Sequence, residues 1–258
     1  MKILKIIAAS VLPSLYESIK KIKAAEIYVA GGDKIWADNV FDDAVLKKII
    51  KEKLSNSGSG VDIGAADGLF IGLMSKANAN EKHLAVEIQP KKVAKLKQTL
   101  NANVIVSESC LSDTEEDVSF QISVQNTGYS GLVVTKASVN IGNTEYISLK
   151  TKTVKLDTII PKEILNIKII KIDVEGAELK VIKGGAETLK KHKPILLFEC
   201  CSHIFDNNDT PDELYAILTD MDYKIYSTSM FVNKQLNISK EYFIEAVTKG
   251  YHSFFIAE

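Results

Sequence analysis

The sequence contains no arginine, because all 32 basic residues among its 258 are lysines, and 33 acidic residues bring the net charge to −1. Without a guanidinium fork, a phosphate or carboxylate has to be held by lysine ammonium groups, backbone N–H groups or helix N-termini. The chain also lacks the positive field that attracts nucleic acid or an anionic membrane. We therefore expect no nucleic-acid partner.

Cysteine, glycine and proline are scarce as well. The three cysteines, two of them adjacent (Cys200 and Cys201), form neither a disulfide framework nor a C-x-x-C zinc pair. With 14 glycines and 5 prolines, collagenous and low-complexity classes are excluded. The apolar run at residues 6–12 is too short to span a bilayer. We expect a cytoplasmic protein with no secretion signal and no membrane span.

From residue 61 onward, apolar segments of strand length alternate with segments of helical spacing. Strands are predicted at 61–63, 84–88, 104–106, 167–174 and 195–200, and helices at 69–77, from Pro90, at 177–191 and at 211–221. Such alternation predicts an α/β fold, with a mainly parallel sheet and helices on both faces. Residues 223–227 and 252–257 are predicted to close the sheet as a pair of edge strands.

Two regions depart from this alternation. Residues 1–54 are predicted as an N-terminal helical extension, with one helix at 42–54, and residues 55–258 as the main domain. Within that domain, strict apolar–polar alternation from Val118 to Val124 predicts an antiparallel β insertion at about 114–156. We expect the insertion and the extension to form the walls of a substrate site.

The segment V-D-I-G-A-A-D-G, residues 61–68, is a strand that runs through a glycine turn into a helix. Gly64 and Gly68 carry no Cβ atom, so the backbone can approach a ligand closely. Glu87 ends the next strand, where a carboxylate can accept the hydroxyls of a ribose. The G-x-x-x-G spacing favours S-adenosylmethionine (SAM) over the G-x-G-x-x-G of dinucleotide folds, while another nucleotide or a turn without a ligand stays open.

Carboxylates also end two later strands. Asp173 and Glu175 follow the apolar strand in I-K-I-D-V-E-G-A-E, and Glu199 ends the strand before His203. In open α/β sheets, ligands bind beyond the carboxyl ends of the strands. Asp173 can also be a solvated or lysine-paired strand end, Glu178 a favourable charge at a helix N-terminus, and His203 ordinary polar surface.

Taken together, residues 61–257 resemble the FkbM family of class I SAM-dependent methyltransferases. The motifs that carry the resemblance are D-I-G-A-A-D-G, A-V-E-I-Q-P, S-C-L-S-D, V-K-L-D-T-I and, most specifically, I-K-I-D-V-E-G-A-E with V-I-K-G-G-A. The resemblance implies a Rossmann-like methyltransferase that transfers a methyl group to a hydroxyl, often on a sugar of a surface polysaccharide or secondary metabolite.

The same resemblance implies a SAM site. Its implied residues are Asp62, Gly64 and Gly68 around the methionine part, Glu87 at the ribose, Leu111, Ser112 and Asp113 at the adenine, and Ala65, Ala66, Ile88 and Asp173 elsewhere in the cofactor site. The implied partner is a small-molecule or glycan acceptor, such as a nucleotide-activated sugar. An NAD(P)-dependent oxidoreductase and a non-catalytic SAM-binding protein of the same fold are the alternatives.

Methyl transfer to a sugar hydroxyl needs a group that takes its proton. We place Asp173 beside the methyl group, with Glu175, Glu199 and His203 orienting or deprotonating the acceptor. The three carboxylates, Asp173, Glu175 and Glu199, also offer the oxygen ligands that Mg²⁺ accepts. A divalent metal therefore stays open as a second cofactor.

Overall fold

The computed structural model describes residues 34–124, 130–132, 145–200 and 210–258. The chain divides into two compact units, Met1–Lys48 and Ile49–Glu258. Helix α1 (Lys34–Leu54) begins eight residues before the predicted helix. The domain boundary predicted after residue 54 stays a prediction. Of the helices in the described part of the chain, none offers the long uncharged apolar stretch that a bilayer span requires.

The second unit contains all ten strands of the described residues. They are β1 (Ser59–Ile63), β2 (His83–Glu87), β3 (Val104–Glu108), β4 (Cys110–Leu111), β5 (Asp117–Ser123), β6 (Tyr146–Val154), β7 (Ile167–Ile172), β8 (Ile195–Glu199), β9 (Ile225–Ser227) and β10 (Phe254–Ala257). Seven of these strands form one sheet in the order β3-β2-β1-β7-β8-β10-β9. Its first five strands run parallel, which confirms the predicted Rossmann-like fold.

The closing strands differ from the prediction in one respect. β10 pairs antiparallel with both β8 and β9, so it lies inside the sheet and only β9 is an edge strand. Burial explains this position, because Phe255 of β10 is fully buried and its ring lies against those of Phe198 and Phe243, with centroids 5.9 and 4.8 Å away.

Eight helices follow α1 in the described chain. They are α2 (Leu69–Ala77), α3 (Pro90–Thr99), α4 (Leu156–Ile159), α5 (Glu178–Gly184), α6 (Ala186–His192), α7 (Pro211–Asp220), α8 (Thr228–Val232) and α9 (Lys240–Lys249). The single helix predicted at 177–191 is wrong, since α5 and α6 are separated at Gly185. Gly184 packs so closely on another segment that a Cβ there would lie 2.2 Å from the Ser112 carbonyl oxygen.

The predicted β insertion is a small sheet of order β4-β6-β5. β5 and β6 pair antiparallel from Asp117↔Lys152 to Ser123↔Tyr146, while β4 pairs parallel with β6. Phe120 of β5 is buried, and it contributes to a cleft at the carboxyl edge of the large sheet. This cleft is the candidate active site.

Candidate active site

The turn after β1 joins the ends of three adjacent strands. The N–H groups of Gly64 and Ala65 both donate to the Val86 carbonyl of β2 at 3.0 Å, and the Asp173 N–H donates to the Ile63 carbonyl at 3.1 Å. Gly64 has a φ of +76°, and a Cβ there would lie 1.8 Å from the Asp173 carbonyl oxygen. The protein itself therefore requires this glycine, in addition to any role it has toward a ligand.

Gly68 begins α2 with a φ of +84°, and a Cβ there would lie 2.8 Å from Cδ2 of Leu96 on α3. The left-handed backbone and this close approach of two helices both favour glycine. Ala66, between the two glycines, is also left-handed, with a φ of +47°. Backbone strain of this kind in a non-glycine residue is concentrated at functional sites.

The two acids at this turn are occupied by backbone donors. Asp62 Oδ2 accepts the Ile71 N–H of α2 at 2.9 Å. Glu87 accepts three N–H groups, from Ala66 on Oε2 and from Ile88 and Gln89 on Oε1, at 2.8 to 2.9 Å. Because a carboxylate has about four acceptor positions, Glu87 retains room for roughly one more donor, not for both hydroxyls of a ribose.

The loop after β7 is also left-handed, with a φ of +55° at Glu175 and +111° at Gly176. The buried carboxylate of Glu178, in the first turn of α5, accepts the N–H groups of Val174 at 2.9 Å and Gly176 at 3.1 Å. Burial raises the pKa of Glu178 to about 7. Of the two interpretations left open for Glu178, a structural role at the helix N-terminus fits these contacts.

Three carboxyl groups converge at the ends of β7 and β8. One oxygen from each of Asp173, Glu175 and Glu199 lies within 4.8 Å of the other two. Burial, together with the negative charges of Asp173 and Glu178, raises the pKa of Glu175 to about 8. Burial and the neighbouring Asp173 and Glu175 raise the pKa of Glu199 well above its usual value. Glu175 therefore retains its proton near neutral pH.

Sequence reasoning assigned no role to Lys171, the buried cation beside this cluster. Its Nζ lies 3.0 Å from Asp173 Oδ2 and 3.7 Å from Asp62 Oδ1. Burial alone would lower the pKa of Lys171, but Asp173 and Asp62 outweigh burial and raise this pKa above its usual range. The signal in the sequence was a lysine within an apolar strand, two residues before an acid.

The cleft is a cavity of about 160 Å³ that opens to solvent. Of the predicted site residues, Gly64, Ala66, Glu87, Ile88, Leu111, Asp173 and Glu175 line the cleft. Sequence reasoning missed Lys92 of α3 and, from the insertion, Phe120, Ser130 and Leu132, which also line the cleft. The lining thus extends from the glycine turn to Asp173 and Glu175 of the acid cluster.

The other predicted residues lie outside the lining. Asp62, Ala65, Gly68 and Ser112 lie behind it, and all four are buried. Asp113 accepts a hydrogen bond from the Ser112 hydroxyl at 3.2 Å, and Glu199 joins the site through the acid cluster. His203 lies outside the described residues.

The strand order and the cleft at the carboxyl edge define a Rossmann-like methyltransferase fold of class I. The family model of the Methyltransferase FkbM domain matches residues 62–225. The chain therefore belongs to the FkbM methyltransferase family. A comparison with curated proteins gave no significant match.

Solved structures with related folds are distant in sequence. The FkbM methyltransferase from Methylobacillus flagellatus KT is 16% identical, with a TM-score of 0.47 over 78% of this chain and only 44% of its own. A SAM-dependent methyltransferase from Aquifex aeolicus is 14% identical, with a TM-score of 0.41 over 82% of this chain and 87% of its own. The precorrin-6y C5,15-methyltransferase from Geobacter metallireducens GS-15 is 14% identical, with a TM-score of 0.38 over 70% and 71%.

Proposed function

We propose that this protein transfers the methyl group of SAM to a hydroxyl of a sugar or sugar-containing acceptor, such as a nucleotide-activated sugar. The observation that carries the proposal is the cleft with a glycine turn at one end and three carboxyl groups at the other. Membership of a methyltransferase family supports this proposal over an NAD(P)-dependent oxidoreductase.

In this proposal the cofactor lies over the turn after β1. Its ribose donates one hydroxyl to the remaining acceptor position of Glu87, while Ile88 and Leu111 contact the adenine. Lys92 is the one lysine among the described lining residues, and it provides positive charge for an anionic group of a ligand. Asp173 faces the sulfonium, whose positive charge a carboxylate stabilises.

The transfer is a single displacement. The acceptor oxygen forms a bond to the methyl carbon as the C–S bond breaks, and the electron pair of that bond stays on sulfur in S-adenosylhomocysteine (SAH). Holding the oxygen about 3 Å from the methyl carbon and in line with the C–S bond supplies much of the catalysis. An ionised carboxylate of the acid cluster takes the hydroxyl proton, and the raised pKa of Glu175, about 8, lies near working pH.

The test incubates the purified protein with SAM and a panel of nucleotide-activated sugars, and detects SAH and a product heavier by one CH₂ by mass spectrometry. Asp173→Asn is expected to keep SAH binding and to lose at least about a hundredfold in turnover. SAH binding without turnover on any acceptor would support the non-catalytic alternative. Absence of SAM and SAH binding would contradict the proposal.

A divalent cation is a separate part of the prediction. Asp173, Glu175 and Glu199 place oxygens at a spacing that also suits one cation. A cation and a shared proton are alternative ways to relieve the repulsion among these carboxyl groups. Loss of turnover in EDTA and its return with Mg²⁺ would favour the cation, whereas full turnover in EDTA would favour the shared proton.

A further inference from the structure

Lys171 is a buried charged residue of β7, a strand in which only Lys168 is exposed. The four isoleucines of β7, at positions 167, 169, 170 and 172, are fully buried, and the lysine side chain itself is 3% exposed. In the sheet register Lys171 lies between Asp62 of β1 and Leu197 of β8. A buried ammonium group is costly unless it is paired, so its partners indicate its role.

The ammonium group joins two strand ends. Nζ donates to Asp173 Oδ2 at 3.0 Å, lies 3.7 Å from Asp62 Oδ1, and lies 5.1 Å from the centroid of the Phe70 ring. Asp62 Oδ1 is buried and accepts no hydrogen bond from the described residues. The lysine therefore supplies the compensating charge for Asp62, whose other oxygen holds the N-terminus of α2 through Ile71.

Asp173 is the more exposed of the two carboxylates that contact Lys171. Its side chain is 29% exposed, and it begins the left-handed loop after β7. The carboxyl groups of Glu175 and Glu199 lie within 4.8 Å of it, and its charge raises the pKa values of both. Without the ammonium group, the Asp173 carboxylate loses the charged contact that holds its orientation.

We propose that Lys171 is a positioning residue, which fixes the Asp173 carboxylate toward the methyl group of SAM by tying it to Asp62 and the N-terminus of α2. The inference rests on the proposed function, since it assumes that Asp173 faces the sulfonium. Lys171 itself does not line the cleft, so it acts through Asp173. A methionine at this position keeps a similar length and removes the charge.

The test measures the dissociation constants of SAM and SAH by calorimetry for the wild type and for Lys171→Met. The two ligands share one skeleton, but only SAM carries the methyl group and the positive sulfonium. We expect SAM to bind about tenfold more weakly while SAH affinity changes less than about threefold, a coupling of ordinary size between neighbouring groups. Lys168→Met, at an exposed lysine of the same strand, is the matched control and should change neither constant.

A double-mutant cycle separates positioning from a general structural role. In the Asp173→Asn background, Lys171→Met is expected to cause no further change in the ratio of the two dissociation constants. Equal weakening of both ligands by Lys171→Met, or a change in the ratio that persists in the Asp173→Asn background, would overturn the inference.

Thermal melts verify that each variant folds. If Lys171→Met alone does not fold, the double variant Lys171→Met with Asp62→Asn also removes the carboxylate that has lost its counterion. The ratio of the SAM and SAH dissociation constants is then compared between this double variant and Asp62→Asn. If the wild type binds neither ligand, the proposed function fails and the inference with it. If the wild type binds both and the lysine variants keep its ratio, the inference alone fails.

Discussion

The carboxylates at the ends of β1 and β2 have different surroundings from those at the ends of β7 and β8. At β1 and β2, Asp62 and Glu87 are buried, and backbone N–H groups donate to them. At β7 and β8, Glu175 and Glu199 lie close to Asp173, and their pKa values are raised by burial and by one another's charge. The first end uses its acids to fix a turn, whereas the second keeps proton-binding groups beside the cleft.

The difference follows from the backbone at each end. Backbone N–H groups from the turn after β1 (Ala66), from α2 (Ile71) and from the residues after β2 donate to Asp62 and Glu87. In the loop after β7, two inward N–H groups are taken by Glu178 of the next helix. Glu175 and Glu199 are therefore left with carboxyl neighbours. Carboxylates held by backbone donors and carboxyl groups with raised pKa values are thus separated along one sheet edge.

The largest expected effect tests the contact between these two ends. Gly64→Ala should destabilise the protein by more than about 4 kcal/mol, because the new Cβ would overlap the Asp173 carbonyl oxygen. Urea denaturation followed by circular dichroism measures the change. Gly250→Ala is the matched control, since Gly250 has a similar φ of +68° and a Cβ there would meet no atom within 4 Å. It should cost only about 1 kcal/mol, and equal losses at both positions would contradict the explanation.

The next prediction concerns the end that is fixed by backbone donors. Glu87→Gln should reduce the free energy of unfolding by about 1–3 kcal/mol, since an amide oxygen replaces only one of two accepting oxygens and leaves buried N–H groups unpaired. Glu108→Gln, at the exposed register partner on β3, serves as the control. If the two substitutions have the same small effect in urea denaturation, Glu87 does not hold the turn.

The same substitution at the other end should have the opposite sign. Glu175→Gln removes a carboxyl group whose pKa is raised to about 8 in the folded state. A raised folded pKa means that the folded state binds more protons, so wild-type stability falls as the pH rises from about 4.5 to 8. The variant should match the wild type near pH 4.5 and exceed it at pH 8 by on the order of 1 kcal/mol.

Urea denaturation at both pH values measures this difference, with the exposed Glu163→Gln as control. A variant that is less stable than the wild type at pH 8 would show that Glu175 has favourable partners, and the contrast between the two strand ends would not hold.

Much of this arrangement was predictable from the sequence, because strand order follows from local pattern. Alternating strands and helices predict a parallel sheet, and a parallel sheet brings Asp62, Glu87, Asp173 and Glu199 to one edge. What the sequence could not provide are contacts between distant segments. Nothing near Gly64 indicates that the Asp173 carbonyl approaches it. The inner position of β10 is likewise a long-range property of Phe255 and its neighbours.

Lys171 illustrates the same limit. Lys168 and Lys171 occur in one apolar strand, and alternation with period two places them on opposite faces. The sequence does not state which face is buried, so one lysine resembles the other. Only the register with Asp62 on β1 identifies Lys171 as the charged partner of both strand ends.

The smallest expected effect concerns the amino-terminal ends of the strands, away from the cleft. The acid cluster of the described residues lies at the other end, so this end serves as a reference. His83 at the start of β2 is buried; its Nδ1 accepts the Gly60 N–H at 3.0 Å, and its Nε2 lies 2.8 Å from the Asn78 carbonyl oxygen. Burial lowers its pKa below 6.5.

Because the pKa of His83 is lowered in the folded state, the unfolded state binds more protons. The contribution of His83 to stability is therefore complete above pH 6.5 and is lost as the pH falls further. His83→Gln should flatten the wild-type decrease between pH 6.5 and 5 by less than about 1 kcal/mol, as measured by urea denaturation. An identical slope in both proteins would mean that the imidazole is not held neutral.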